Sequence, residues 1–235
     1  MAIEGSLYVF GLSGLGEINQ GDDLAGLIAG RAGLIDGDVV VVTQKVVSKA
    51  EGRMVAFDAS DPDAKRLLAE SEAVRVLRRR DDMVVTETRH GFVCANSGVD
   101  LSNVADGFAV LLPEDPDRSA RRLRDGLRAK TGLEVGVVIS DTFGRAWRRG
   151  VTDVAIGCAG IRAVVDLRGT TDALGRELVS TEICVVDEIA SAADLVMGKA
   201  RGVPVAIVRG VDAAFMGDGA VAQDVVRPYG EDLFR

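Results

Sequence analysis

A chain of 235 residues is long enough for one domain, or at most two closely joined subdomains, around a sizeable core. A formal net charge of −8, with 47% hydrophobic and 27% charged residues, excludes sequence-independent binding to nucleic acid, while a local basic patch for a small anion stays open. No apolar run approaches the roughly 20 residues that cross a bilayer. The first residues lack the basic region of a signal peptide, and Cys94, Cys158 and Cys184 are odd in number with no C-x-x-C pair, so a cytoplasmic protein with reduced thiols is expected. The single histidine, His90, excludes multi-histidine zinc sites and disfavours His-dependent triads; beside Arg89 and Gly91 it reads as a turn residue.

Residues 7–12 predict a strand, followed by a flexible glycine-containing turn, GLSGLGE, whose spacing is neither a P-loop nor a dinucleotide fingerprint. A helix is predicted over 22–32, with Asp22 and Asp23 at its positive end and Leu24, Leu27 and Ile28 on one face. After the turn Asp36-Gly37-Asp38 comes a fully apolar strand, 39–42, ending in Thr43, Gln44 and Lys45, with Ser48 and Lys49 close behind. A hydroxyl and an ammonium at a strand end suit a phosphate, although a lysine there is commonly just solvated.

The spacing predicts an amphipathic helix over 62–80, with Leu67, Leu68, Val74 and Leu77 inward and Arg78, Arg79 and Arg80 at its C-terminal end. Short strands are expected at 83–86 and 90–95. Asn96, Asp100, Ser102 and Asn103 follow, an oxygen-rich set that suits magnesium or manganese and equally suits an Asx-rich turn. A strand at 109–112 precedes a basic helix over 116–131, closed by Gly132.

The stretch 134–153 carries the densest chemistry. Its β-branched run 135–139 predicts a strand buried on both faces, and Ser140, Asp141, Thr142 and Gly144 fall where that strand should emerge. Arg145, Arg148 and Arg149 come next. If the segment after Gly144 is helical, Arg145 and Arg149 are the closest pair and the candidates for an anionic substrate. Strands are then expected at 154–156 and 163–167, joined by a turn at 157–160, with a polar loop over 169–177. Further on, a strand at 183–186, a helix over 187–197 stopped by Gly198, and a strand at 203–208 complete the chain. There is no internal repeat and no linker of Pro, Gly or Ser.

Three polar strand ends are candidates to converge: residues 43–49, 100–103 and 141–142. Aspartates on separate loops, a hydroxyl and a lysine can hold divalent ions against a triphosphate. VVVVTQKVVSKAEGR, CANSGVDLSN, VVISDTFGRAWRRGVTDVAIG, STEICVVDEIASAADLVMGKA and VPVAIVRG, in that order, resemble the coenzyme F420-0:γ-glutamyl ligase family, also found as the N-terminal domain of a mycobacterial bifunctional enzyme.

The resemblance implies a GTP-dependent ligase that attaches L-glutamate to the lactyl carboxylate of F420-0 and then adds γ-linked glutamates. It also implies an α+β fold of mixed β-sheets with flanking helices, an intertwined homodimer, divalent manganese or magnesium, and potassium. Carried onto this chain, the family's nucleotide loop falls on Leu12, Ser13, Gly14 and Leu15. Its nucleotide and phosphate contacts fall on Thr43, Gln44, Lys49 and Asn103, and on Met197, Gly198 and Lys199. Its first metal falls on Asp100 and Asp141, and its second on Thr142. Lys199 stands where some relatives carry Glu or Gln near the second metal, and an ammonium has no lone pair with which to ligate. A ligase acting on another carboxylate, or a GTP-binding protein without turnover, are the alternatives that the motifs leave open.

Overall fold

The computed structural model describes residues 5–232. In chain order its elements are β1 (Tyr8–Leu12), α1 (Leu24–Ala29), β2 (Val39–Thr43), α2 (Gln44–Ala50), β3 (Met54–Ala56), α3 (Ala64–Ser71), β4 (Ala73–Arg80), β5 (Met83–Thr88) and β6 (Val93–Ala95). The chain continues through β7 (Phe108–Val110), α4 (Pro116–Thr131), β8 (Gly136–Arg145), β9 (Arg148–Ala159), β10 (Val165–Asp166), β11 (Glu182–Ile183), α5 (Val185–Met197), β12 (Val205–Arg209) and α6 (Val221–Asp224). The result is a mixed α+β fold with several sheets and flanking helices, as expected.

The valine-rich runs form the centre of the molecule. A five-stranded sheet has the order β1-β12-β2-β8-β9, in which β2 and β8 run parallel and the other neighbours antiparallel. Helix α5 packs on β1, β9 and β12, and α4 packs on β8, β9 and α1, so Val39 to Val42 and Val137 to Ile139 are fully buried. Continuous apolar strands are what a sheet covered on both sides requires. Gly157 lies within β9 because α4 begins against it: a Cβ there would meet the Pro116 carbonyl carbon at 2.4 Å. This close approach, rather than a turn, explains the glycine, and it corrects the expected turn at 157–160.

Helix α4 matches its predicted bounds. Asp115 caps it by accepting the Arg118 N–H at 2.8 Å, Pro116 opens it, and Gly132 closes it at φ +74°.

The expected helix over 62–80 is a helix and a strand. Helix α3 ends at Ser71, and β4 pairs antiparallel with β5 across a turn in which Asp81 has φ +53°. In AVRVLRRR two β-branched valines alternate with other residues, and Arg75 and Arg79 find Glu87 at 2.7 Å and Glu70 at 3.0 Å. The first pair crosses the β4–β5 ladder and the second ties β4 back to α3, where the helical pattern would have turned Val74, which is 70% exposed, into the core. Strands β3 to β7 and α3 enclose a second, smaller core of Ala69, Val84, Val99, Ala109 and Leu111. Another correction falls at 183–186, where the strand is two residues long and α5 starts at Val185.

The largest correction concerns the segment after Gly144. It is no helix: β8 runs on to Arg145, and β9 returns from Arg148. Trp147 makes the turn with φ +58°. Arg145 therefore lies opposite Arg148, while a register irregularity after Gly144 leaves Arg149 without a partner position on β8. The cross-strand pair is Arg145 and Arg148, so the helical spacing that would join Arg145 to Arg149 does not apply.

Candidate active-site cleft

The cleft begins where a strand ends. Strand β2 stops at Thr43, opposite Ser140, so β8 has no neighbour on that side from Asp141 onward. A cleft of about 870 Å³ opens at this step in the sheet. Its floor comes from the first turn of α2, its walls from the loop after β6, the projecting β8–β9 hairpin and the loop after α5, and its rim from the glycine-containing loop after β1. All three strand ends singled out in the sequence meet here.

Thr43, Gln44, Lys49, Asp100, Asn103, Asp141, Thr142, Met197, Gly198 and Lys199 line the cleft, as do Gly14 and Leu15. Leu12 and Ser13 do not; Leu12 is the last residue of the edge strand β1, paired with Val205. Arg145 and Arg149 also lie outside it, exposed at the far end of the hairpin.

Helix α2 leaves β2 with no intervening loop, and its i, i+4 spacing sets Lys45 and Lys49 one turn apart on the cleft side. Lys49 is only 5% exposed; its ammonium donates to the Asn103 carbonyl at 2.9 Å and pairs with the Glu17 carboxylate. Lys45 reaches the Asp100 carboxylate, the Ser102 carbonyl and the Ser102 hydroxyl at 2.7 to 2.8 Å. Both lysines thus tie down the 100–103 loop, in which the Ser102 N–H also donates to Asp100 at 2.7 Å. Gln44 is buried and accepts the Ser48 hydroxyl at 2.9 Å.

The aspartates that resemble the family's metal ligands sit in opposite electrostatic settings. Burial alone would raise Asp100, but the Lys45 ammonium and the Ser102 N–H and hydroxyl hold its carboxyl below the ordinary value. At Asp141 burial dominates and pushes the carboxyl up to about 7, against the Thr142 N–H, with the negative charges of Asp100 and Asp153 adding to the rise and Lys199 opposing it. Asp153, 2% exposed, accepts the Ser140 hydroxyl at 2.9 Å and the Thr142 hydroxyl at 2.5 Å. Lys199 lies 3.4 Å from the same carboxylate.

These donors fit a divalent cation of the hard type. Among the described residues no three carboxylates, thiols or imidazoles form a ready cage, but magnesium and manganese commonly take one or two carboxylates and fill the remaining positions with phosphate oxygens and water. Asp100, Asp141 and the Thr142 hydroxyl offer that partial set. Burial pushes all three thiols up to about 12, so none is a thiolate near neutral pH. His90 stacks on Phe92 and bonds the Pro113 carbonyl at 2.9 Å, away from the cleft, which agrees with its reading as a turn residue.

Glu17, Asp153 and Asp194 line the cleft without having been singled out in the sequence, and Lys45, named there only as part of a polar strand end and given no role, lines it too. For Lys45 a signal existed, its i, i+4 spacing from Lys49. Asp153 faces Thr142 only through the hairpin register, and Asp194 and Glu17 arrive by packing, so these three carried no local signal.

Among the described residues the cleft gathers lysines, hydroxyls and carboxylates at a step in the sheet, a donor set suited to charged ligands. The F420-0:gamma-glutamyl ligase family model matches residues 14–210. The chain is 40% identical to the coenzyme F420:L-glutamate ligase of Methanothermobacter thermautotrophicus over 97% of its own length and 99% of that protein's. It is 44% identical to the protein of that name from Methanopyrus kandleri, over 93% and 94% of the two chains, and 42% identical to that from Archaeoglobus fulgidus, over 97% and 96%. The chain belongs to the F420-0:γ-glutamyl ligase family, whose members are enzymes of the ligase class.

Proposed function

We propose that the protein is a GTP-dependent ligase that joins L-glutamate to the lactyl carboxylate of coenzyme F420-0 and then adds γ-linked glutamates, releasing GDP and phosphate. The observation that carries this reading is the convergence of Asp100, Asp141, Thr142 and Lys49 on one cleft in a chain of this family. A free carboxylate resists attack by an amine. Phosphorylation supplies the leaving group: a carboxylate oxygen takes the γ-phosphoryl group of GTP, giving an acyl phosphate and GDP. The glutamate amine then attacks the acyl carbon, an oxyanion forms and collapses, and phosphate leaves as the amide is made and the amine proton is lost. The absence of a reactive thiolate or a histidine in the cleft is consistent with this route, since no protein nucleophile takes part.

In this reading Lys49 binds a phosphate oxygen, exchanging its Glu17 partner for the nucleotide. Lys45 keeps the Asp100 loop in place. A divalent cation, Mn2+ or Mg2+, bound by Asp100, Asp141 and Thr142 would neutralise charge on the phosphates. The test is incubation with GTP, Mn2+, K+, glutamate and F420-0, read by product mass. Addition of one or more glutamates with equivalent GDP formation is expected; GTP bound without any product would leave a nucleotide-binding protein instead.

We also propose a homodimer. Support comes from exposed apolar side chains on the projecting hairpin and beyond β10, with Trp147 81% exposed and Val151, Leu174 and Val179 exposed as well. Sedimentation at decreasing protein concentration tests it, with a single monomeric species as the contrary result. Among the described residues no helix is long and apolar enough to cross a membrane.

A further inference from the structure

We propose that Asp153 is a positioning residue of the cleft: it holds the proton of the Thr142 hydroxyl so that this oxygen turns only lone pairs toward a bound cation, and Lys199 balances its charge. The inference rests on the divalent-cation reading above. Thr142 and Asp153 are directly opposed on β8 and β9, and alternation puts Ser140 on the same face. One carboxylate oxygen accepts the Thr142 hydroxyl at 2.5 Å, and the other accepts the Ser140 hydroxyl at 2.9 Å.

A hydroxyl has one proton and two lone pairs. With the proton committed to a carboxylate in a charge-assisted bond, the Thr142 oxygen can only accept from the cleft, the state a hard cation requires. Asp153 is itself fixed from behind, because the Ser191 hydroxyl of α5 donates to its backbone carbonyl at 2.8 Å and lies 3.0 Å from the Thr152 hydroxyl. Each carboxylate oxygen accepts one hydroxyl proton, which fixes the plane of the carboxylate between Ser140 and Thr142. Burying that negative charge is costly unless a cation answers it, and Lys199, 3.4 Å away and on the open side, does so. A lysine at 199 then has a role that does not require it to ligate.

The experiment measures Mn2+ binding to the full chain by loss of the free-ion electron paramagnetic signal, with no nucleotide or acceptor present. It compares the wild type with Asp153→Asn, Thr142→Val and the double variant, and each fold is checked by thermal unfolding. Each single change is expected to weaken Mn2+ binding about tenfold, and the double change no more than the singles, since both remove the same oriented oxygen. Thr131→Ala, which removes a hydroxyl bonded to the Leu127 carbonyl in α4 and outside the cleft, is the control and should leave Mn2+ affinity within about twofold. Wild-type affinity in Asp153→Asn, or losses that multiply in the double variant, would overturn the assignment. A wild-type chain that binds no Mn2+ would overturn the cation reading and this inference with it. If Asp153→Asn does not fold, Thr142→Ser decides: it keeps the oriented hydroxyl and should bind Mn2+ within about twofold of wild type, whereas a loss as large as that of Thr142→Val would overturn the assignment.

Discussion

The root and the tip of the β8–β9 hairpin come from one continuous stretch, yet they stand in different physical worlds. At the root, Ser140 to Thr142 and Asp153 lie beside the end of β2, where other elements converge, and burial first and then the charges of Asp100 and Asp153 raise Asp141. At the tip, Arg145, Arg148 and Arg149 carry more formal charge but are exposed and lie outside this cleft. Density of charge along a sequence is therefore a poor guide to a site. What matters is whether neighbours from elsewhere in the chain remove the charge from water.

The sharpest way to break that contrast is at the root. Asp141→Ala and Asp100→Ala should each lower kcat/KM by about a thousandfold or more, since in the proposed reading each removes a cation ligand while the sheet stays intact. Near-normal turnover of either variant at limiting Mn2+ would remove it from the cation site. Next in size, Lys49→Ala should weaken GTP about tenfold to a hundredfold with little change in the KM for glutamate, the worth of one charge-assisted bond. An unchanged GTP dependence would take Lys49 out of the nucleotide site.

The pH dependence sharpens the comparison further. Folding raises Asp141 from an ordinary carboxylate value to about 7, so between those limits the folded chain holds a proton that the unfolded chain has released. The contribution of Asp141 to stability is thus most favourable at low pH and declines as pH rises toward 7; Asp100, held low, acts in the opposite sense. Asp141→Asn should accordingly raise the metal-free Tm at pH 8, by ~2–4 °C per kcal/mol recovered, while impairing Mn2+ binding. For the same reason Mn2+ affinity should fall as pH drops below about 7, with proton release on binding measurable by calorimetry in two buffers. Binding that is flat between pH 6 and 8 would contradict the raised carboxyl.

The smallest effects belong to the tip. Arg145→Ala and Arg149→Ala should each leave the KM for the acceptor within about twofold, because solvated charges contribute little to a cleft they do not line. A clear rise in that KM with GTP binding intact would mean that the tip meets acceptor elsewhere, as in the cleft of a second copy.

Much of the core was legible locally. Valine runs announced β2, β8 and β12, because a strand covered on both faces must be apolar throughout, and Asp115, Pro116 and Gly132 bounded α4 through capping that depends only on neighbours in sequence. The motifs around Thr43, Asp100 and Asp141 likewise marked polar strand ends, and their order carried the family resemblance. The tertiary structure alone decided that 73–80 is a strand, since its backbone hydrogen bonds are made by β5, a separate segment. It alone paired Thr142 with Asp153, put Lys45 on Asp100 and left Arg145 and Arg149 in solvent. Residue type and spacing fix local geometry within a turn or a strand, whereas the cleft's electrostatics come from side chains far apart in sequence and close in space, and only packing determines which of them are desolvated together.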